Sequence, residues 1–545
     1  MPPTSARAKR KAITPEDLHE LTFVSDPQIN PAGNRVLFTR KRIGKKNTYE
    51  TSLWMVPSEG GEPRAFTHGP RDGQGRWSAD GTQIAFTSAR DKQSPQLHLI
   101  PADGGEARAL TSLPEGSLSE FTWSPNGKHI AFSFREREEE WTKDAIKQRE
   151  ESGATSPPRV LNNTWYRLDG DGYFNAERYK LYIVDVATGK TRMLYGKDTI
   201  GWFSFDWSPN SKTLAVTSNR NRRGILGRAD DELLKIDVDS GRITPLRGLP
   251  RGPKTSIQWS PDGKNLAWAG RASSDGVYST KNLELWTSES NGRHARCLTG
   301  NTDWCLMACV LSDTADVSFA PNLQWSPDSK RILVSIGWHG QSHVASVSRN
   351  GSNCHMLTHG RAVISPGNCS ADGKTIAMML DAPATPPEIH VGSVSATKIT
   401  PRCLTSFNAK YLASRHVRKP SMKWIRSTDG VKVQTWTITP PGFKKGRTYP
   451  AVLEIHGGPH AQYGEAYFHE FQVLANAGYI VVYSNPRGSK GYGQNHTAAI
   501  HGSWGGKDWE DMRAVTDSMI ANPSINSKRM GIMGGSYGGY MTLWA

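Results

Sequence analysis

The 545-residue sequence predicts a β-propeller of seven blades followed by the first part of an α/β domain. Three observations predict it: a hairpin phrase that recurs seven times, a second hairpin between the copies, and a change after residue 407 to strands alternating with helices. The phrase reads "INPAGNRVLFT" from Ile29, "WSADGTQIAFT" from Trp77, "WSPNGKHIAFS" from Trp123 and "WSPNSKTLAVT" from Trp207. It returns as "WSPDGKNLAWA" from Trp259, "WSPDSKRILVS" from Trp325 and "CSADGKTIAMM" from Cys369, with steps of 48, 46, 84, 52, 66 and 44 residues. The phrase reads as a hairpin: an apolar strand ends at the first residue, Asp-Gly or Asn-Gly supplies the positive φ angles of a turn, and an alternating strand follows. A second hairpin, such as "LHLIPADGGEARALT", raises each repeat to four strands. Repeats of this length cannot bury their own faces, so they stack on their neighbours, and closing the stack into a ring gives a propeller.

Taken in order, residues 1–25 form an N-terminal segment whose "TPEDL" reads as a helix start, with Thr14 as N-cap, Pro15 in the first turn and Asp17 closing a capping box. Residues 26–407 form the propeller. Its 84-residue step holds an insertion, "REREEEWTKDAIKQREESG" (Arg135 to Gly153), read as a charged helix facing solvent; an eroded eighth blade around "WYRLDGDGYF" is the alternative. The run Glu138 to Glu140 belongs to that solvated face or clamps a substrate's amino terminus. Residues 420–545 alternate strand and helix, which predicts a largely parallel sheet covered on both faces.

Composition narrows the function classes. The formal charge is +16, but the dense basic clusters are "RAKRK" and "RKRIGKK", without the interleaved aromatics of a single-strand binding surface, so no nucleic-acid partner is expected. No apolar run reaches the roughly 20 residues that cross a bilayer, so no membrane partner is expected either. The N-terminus lacks the apolar core of a secretory signal, which points to the cytoplasm. The six cysteines all lie between Cys297 and Cys403 and read as free thiols. Neither a phosphate-binding glycine loop nor a metal cluster is apparent, so no metal and no cofactor are expected.

The chemistry sits at the end of the chain. Gly534-Gly535-Ser536-Tyr537-Gly538 satisfies G-x-S-x-G on a strand-to-helix junction. A Cβ at the glycines of so tight a turn is expected to clash, and the following helix points its N-terminus at the serine. About 80 residues earlier, "HGGP" (His456 to Pro459) also closes a strand and offers backbone N–H groups for an oxyanion. Five histidines precede the serine in this domain: His456, His460, His469, His496 and His501. His456 is read as bracing the "HGGP" loop, and Asp508 and Asp511 as capping a helix or pairing with Lys507 and Arg513.

A seven-bladed propeller followed by "HGGP", "NPRGSKGYG", "WGGKDWED" and "GGSYGGY" resembles the prolyl oligopeptidase family of serine peptidases, nearest its acylaminoacyl-peptidase branch. The resemblance implies an α/β-hydrolase domain, here only its N-terminal part, truncated just after the nucleophile elbow formed by Gly534, Gly535 and Gly538. It implies Ser536 as nucleophile, N–H groups of Gly458 and Tyr537 as the oxyanion hole, short peptides as substrates, a serine buried between the domains, and an N-terminal segment packed on the hydrolase domain. The family's Asp and His follow its serine, and neither is among these 545 residues. A missing C-terminal segment or a separate chain is expected to carry them, leaving this chain inactive or incomplete. A non-catalytic propeller binding protein with a remnant hydrolase half is the alternative.

Overall fold

The computed structural model describes residues 10–90, 94–162, 164–275 and 279–545, with the Ile225 side chain excepted; the first nine residues, which include part of "RAKRK", lie outside them. Seven four-stranded antiparallel units follow one another at 23–65, 72–109, 116–195, 205–245, 254–297, 323–356 and 363–403, the last two joined by one parallel pairing of Ser342 with Val363. Each is built from strands that follow one another along the chain, the inner one first, except that the third is interrupted by an insertion. The inner strands end at Ile29, Trp77, Trp123, Trp207, Trp259, Trp325 and Cys369.

These tryptophans do more than end strands. The indole N–H of Trp77 donates to Gln28 O at 3.1 Å, that of Trp123 to Arg76 O at 3.1 Å and that of Trp207 to Thr122 O at 3.2 Å, each bolting a blade to the one before it. The turn chemistry differs from the expected pair of positive φ angles. Only the residue after the Asp or Asn is left-handed, as in Gly81 at φ 72° and Gly127 at φ 68°. The Asp or Asn itself accepts from the phrase's serine hydroxyl at 2.6–2.8 Å in six turns, Ser78 to Asp80 and Ser124 to Asn126 among them. Where the phrase has Ser instead of Gly, Ser211 and Ser329 hold φ 61° and 57°. Their hydroxyls accept the N–H of Asn126 and of Asp262, each at 3.0 Å, from the preceding blade's turn, which offsets the strain of a left-handed side-chain residue.

The ring closes without strand exchange. The first blade uses residues 23–65 and the last 363–403, and they join through one core of Val24, Ile29, Phe38, Ala377, Ile389 and Val391. Asn368 adds a reciprocal latch, accepting from Ile29 N at 2.7 Å and donating to Ile29 O at 3.0 Å. The insertion falls between the second and third strands of the third blade. It carries helix α1 (Lys143–Ser152), capped by Thr142 and with no buried residue, and a two-stranded ribbon at 167–173 instead of an eighth blade. Glu138 is not free in solvent: its carboxylate accepts from Asn175 Nδ2 at 2.8 Å.

After the short helix α2 (Ala409–Ser414) comes a five-stranded sheet. Its order is Ser421–Arg426, Lys432–Ile438, Ile480–Asn485, Tyr449–Ile455 and Ile525–Gly534, with the last two contacts parallel. Alternation along "AVLEI" sends Ala451, Leu453 and Ile455 to the face covered by α5 (Lys507–Ile520) and α6 (Tyr537–Trp544). Val452 points to the other face, under α3 (His469–Asn476). A short α4 (Gln494–Ala498) lies between. The serine strand Ile525–Gly534 is an edge: among the described residues it pairs with one strand alone.

The two domains are joined by backbone as well as side chains. Leu311 N–H donates to Gln462 O at 2.9 Å and His339 N–H to Gly491 O at 3.0 Å. Asp313, from the linker between blades five and six, accepts the N–H groups of His469 and Glu470 at 2.7 and 2.9 Å, so the propeller supplies the cap of α3. The approach is close enough that a Cβ on Gly464 would stand 1.8 Å from Gly340 O. The N-terminal segment enters the same junction. Thr14 opens a 3₁₀ turn at Pro15–Glu20 and its N–H donates to Asp17 Oδ2 at 3.3 Å. Arg415, just after α2, clamps Asp17 at 2.7 and 2.8 Å, and Leu21 and Phe23 pack on Tyr411 and Tyr467.

Candidate active site

The serine strand runs into α6 through a residue in a strained conformation. Ser536 has φ 57° and ψ −120°, outside the regions open to an ordinary L-residue, and strain of this kind gathers at functional sites. Packing enforces it. A Cβ on Gly534 would stand 2.4 Å from Ile455 O, and one on Gly538 would stand 2.0 Å from the same atom. Both glycines therefore let the turn press against the end of the neighbouring strand. Gly535 differs from the steric expectation, because a Cβ there would meet nothing within 4 Å.

The "HGGP" loop continues that neighbouring strand and lies against the serine, since a Cβ on Gly457 would stand 3.9 Å from Ser536 Oγ. The N–H groups of Gly458 and Tyr537 have no acceptor among the described residues, and neither does the Ser536 hydroxyl a partner. Tyr537 N–H is the first of α6, where helix N–H groups are free and the dipole favours an anion. The serine thus sits at the N-terminus of α6 with the "HGGP" loop against it. Ser536 is exposed, not buried between the domains as the resemblance implies, and among the described residues its strand has no partner along the outer edge.

None of the five histidines touches the serine hydroxyl. His456 has both ring nitrogens engaged, with Gly457 O at 2.8 Å and Ser489 Oγ at 2.9 Å, and burial holds its pKa down to about 4. It braces the loop as a neutral imidazole. His460 contacts Gly488 O at 2.8 Å and His496 contacts Pro486 O at 3.0 Å. His469 is buried at the start of α3, and His501 is exposed in a turn.

Asp508 and Asp511 depart from their expected partners. Both are fully buried and three residues apart, so they share the inner face of α5. Asp508 accepts the Tyr537 hydroxyl and the Gly505 N–H, the latter at 3.1 Å, and so pins the residue after the serine. Asp511 is gripped by Arg487, whose backbone N–H donates at 2.8 Å and whose guanidinium donates at 2.6 Å. Lys507 pairs instead with Glu510 at 2.9 Å. The signal for this was the i, i+3 spacing on an apolar face; which basic or hydroxyl group arrives there depends on distant chain. Arg487 ties "NPRGS" to α5, and Ser489 on the same loop ties it to His456, so the bracing chain runs from α5 to the "HGGP" loop.

Comparison with known proteins agrees with this fold. The model of the family described as "Prolyl oligopeptidase family" matches residues 465–545. The "Uncharacterized peptidase YuxL" of Bacillus subtilis is 32% identical over 539 residues, which cover 98% of this chain and 80% of that protein. The chain belongs to the prolyl oligopeptidase family. Dipeptidyl-peptidase 5 of Porphyromonas gingivalis, a further relative, is 26% identical over 100% of this chain and 78% of its own. Among solved structures, the acylaminoacyl peptidase of Pyrococcus horikoshii superposes with a TM-score of 0.78 at 18% identity, covering 98% of this chain and 77% of that one. Family membership makes the chain a serine-type peptidase by resemblance, with a propeller joined to an α/β-hydrolase domain.

Proposed function

We propose that the protein is a peptidase for short peptides, of acylaminoacyl-peptidase or oligopeptidase type, that works through an acyl-enzyme on Ser536. The observation that carries this reading is the strained Ser536 with its hydroxyl free beside the free N–H groups of Gly458 and Tyr537. Ser536 Oγ attacks the scissile carbonyl carbon, and the two N–H groups hold the oxyanion that forms. The leaving amine departs with a proton, and water then hydrolyses the ester and restores the serine.

The proton from Oγ needs a base. No described histidine or carboxylate is bonded to Oγ, so in this reading the base and its orienting acid come from a further segment or chain. Loss of a triad member lowers rates by about 10⁴- to 10⁶-fold, so the 545-residue polypeptide alone turns over peptides slowly at best. A fluorophosphonate probe tests the assignment directly. Slow modification is expected, with the adduct on Ser536 by peptide mass mapping and none on the Ser536→Ala protein. An adduct on another serine, or brisk peptide hydrolysis by the Ser536→Ala protein, would overturn it. No adduct together with tight peptide binding would favour a non-catalytic binding protein.

A further inference from the structure

The face of the propeller that meets the hydrolase domain is formed by the loops between second and third strands and by the links between blades. Three arginines of one such loop, in the fourth blade between Ser218 and Glu232, stand apart from the other charges of that face. Arg222, Arg223 and Arg228 are exposed, and their guanidinium groups have neither a hydrogen bond nor an ion pair among the described residues. The nearby acids are engaged elsewhere. Glu232 pairs with Arg220, Asp230 with Arg251 and the Ser274 hydroxyl, and Asp231 accepts from Lys254 N–H at 2.9 Å and from Asn219 Nδ2 at 3.0 Å.

The three arginines line one open cavity of about 580 Å³ together with Leu226, which is 69% exposed, and Ser274 of the fifth blade. Ser274 lies on the loop that runs on to the hydrolase domain, where Asn282 N–H donates to Gln494 Oε1 at 3.0 Å. Lys490 meets the same loop. It is buried, and among the described residues its ammonium has one acceptor, Lys281 O, at 3.5 Å. Lys490 follows Ser489, which bonds His456 of the "HGGP" loop. Lys490 thus adds a buried cation where this loop meets the hydrolase domain. The bore of the propeller carries charges of both signs, with Arg76, Lys254 and Arg271 beside Glu120, Asp206 and Asp231.

We infer that Arg222, Arg223 and Arg228 form a binding site for peptide carboxylates, so that the protein favours acidic peptides. Forked guanidinium groups bind carboxylates bidentately, and Leu226 offers an apolar contact beside them. The inference deepens the peptidase reading by naming its substrate class, but binding needs no turnover and is tested separately.

The experiment measures fluorescence anisotropy of two rhodamine-labelled hexapeptides, one with three glutamates and the other with glutamine in their place, on the Ser536→Ala full chain at low salt. The glutamate peptide is expected to bind about tenfold more tightly, with a preference that fades as salt is raised. Arg222→Ala/Arg223→Ala/Arg228→Ala should abolish the preference, and lysine at all three positions should keep part of it. Removing the same charge from the opposite face, with Arg242→Ala/Lys264→Ala/Arg293→Ala, should leave it intact. Equal affinity for the two peptides, or equal loss in both alanine triples, would overturn the inference. So would a single-stranded oligonucleotide that binds the Ser536→Ala chain more tightly than the glutamate peptide and loses that binding in the first triple. Fluorophosphonate labelling of the parent chain, with Ser536 and all three arginines in place, is read alongside. An adduct on Ser536 without a peptide preference would overturn this inference and leave the peptidase reading standing.

Discussion

At the scale of single residues, the site owes its shape to side chains that never meet a substrate. Arg487 is the clearest. Its side chain is 6% exposed, and it neutralises an Asp511 that is wholly buried, while its other nitrogen reaches Asp429. Removing one partner of such a pair strands the other charge in a medium that cannot solvate it. Arg487→Ala is therefore expected to destabilise the chain by about 3–5 kcal/mol in denaturant unfolding, and adding Asp511→Asn should recover part of that loss. A loss under about 1 kcal/mol would place the pair in the class of surface bridges and remove it from the bracing chain. Tyr537 combines two features in one residue: its N–H is the first of α6 and its hydroxyl is held by Asp508.

At the scale of elements, the strand Tyr449–Ile455 carries both the "HGGP" loop at its end and a buried acid one residue from that end. Glu454 is 1% exposed beneath α3, and its Oε1 has no hydrogen-bond partner. Burial raises its pKa from the ordinary 4.5 to about 8, with the nearby Glu470 adding to the rise. The folded chain therefore holds this proton more tightly than the unfolded one. The stability it contributes is complete below the unfolded pKa near 4.5 and is lost as pH rises through 8. Asp313, which caps α3, is raised to about 6 by burial and acts in the same direction. His456 and His496, both lowered to about 4 by burial, act in the opposite sense: their contribution is complete above the ordinary 6.5 and is lost as pH falls through 4. Between pH 6 and 9 the Tm of the Glu454→Gln protein should fall less than that of the parent. Parallel curves would mean that Glu454 is ionised in the fold.

At the scale of the whole molecule, the ring and the hydrolase domain hold each other. Blades seven and one meet by packing, the Asn368 latch and the Ala371 N–H, which donates to Pro31 O at 2.9 Å, and the propeller in turn caps α3 through Asp313. The insertion is outside this mutual support. Helix α1 buries nothing, and the stretch after Gly153 has no regular structure up to Asn162. Limited trypsin digestion should cut first between Lys143 and Arg159. The nicked halves should stay together on gel filtration, because the cut lies between two strands paired from His129 to Phe134 with Lys180 to Asp185. A first cut inside a Trp-Ser-Pro-Asp-Gly turn would contradict the blade assignment.

The sequence by itself determined the blade count, the strand ends at the tryptophans, and the strand–turn–helix setting of Ser536. These are local matters: a period of two along a strand, a left-handed turn residue, a pair of glycines beside a serine. The sequence also marked the long third repeat as interrupted, though not that the interruption falls within the blade. Only the tertiary structure decided who the buried charges meet. Asp508 and Asp511 could be seen to share a helix face, but their partners, Tyr537 and Arg487, come from 29 residues after the one and 24 residues before the other. The tertiary structure alone also showed that propeller residue Asp313 caps a hydrolase helix 156 residues later. The physical reason is common to these cases. Backbone geometry is settled by neighbours in the chain, whereas a buried carboxylate must take whichever donor the folded chain brings within about 3 Å, and sequence order does not specify that donor.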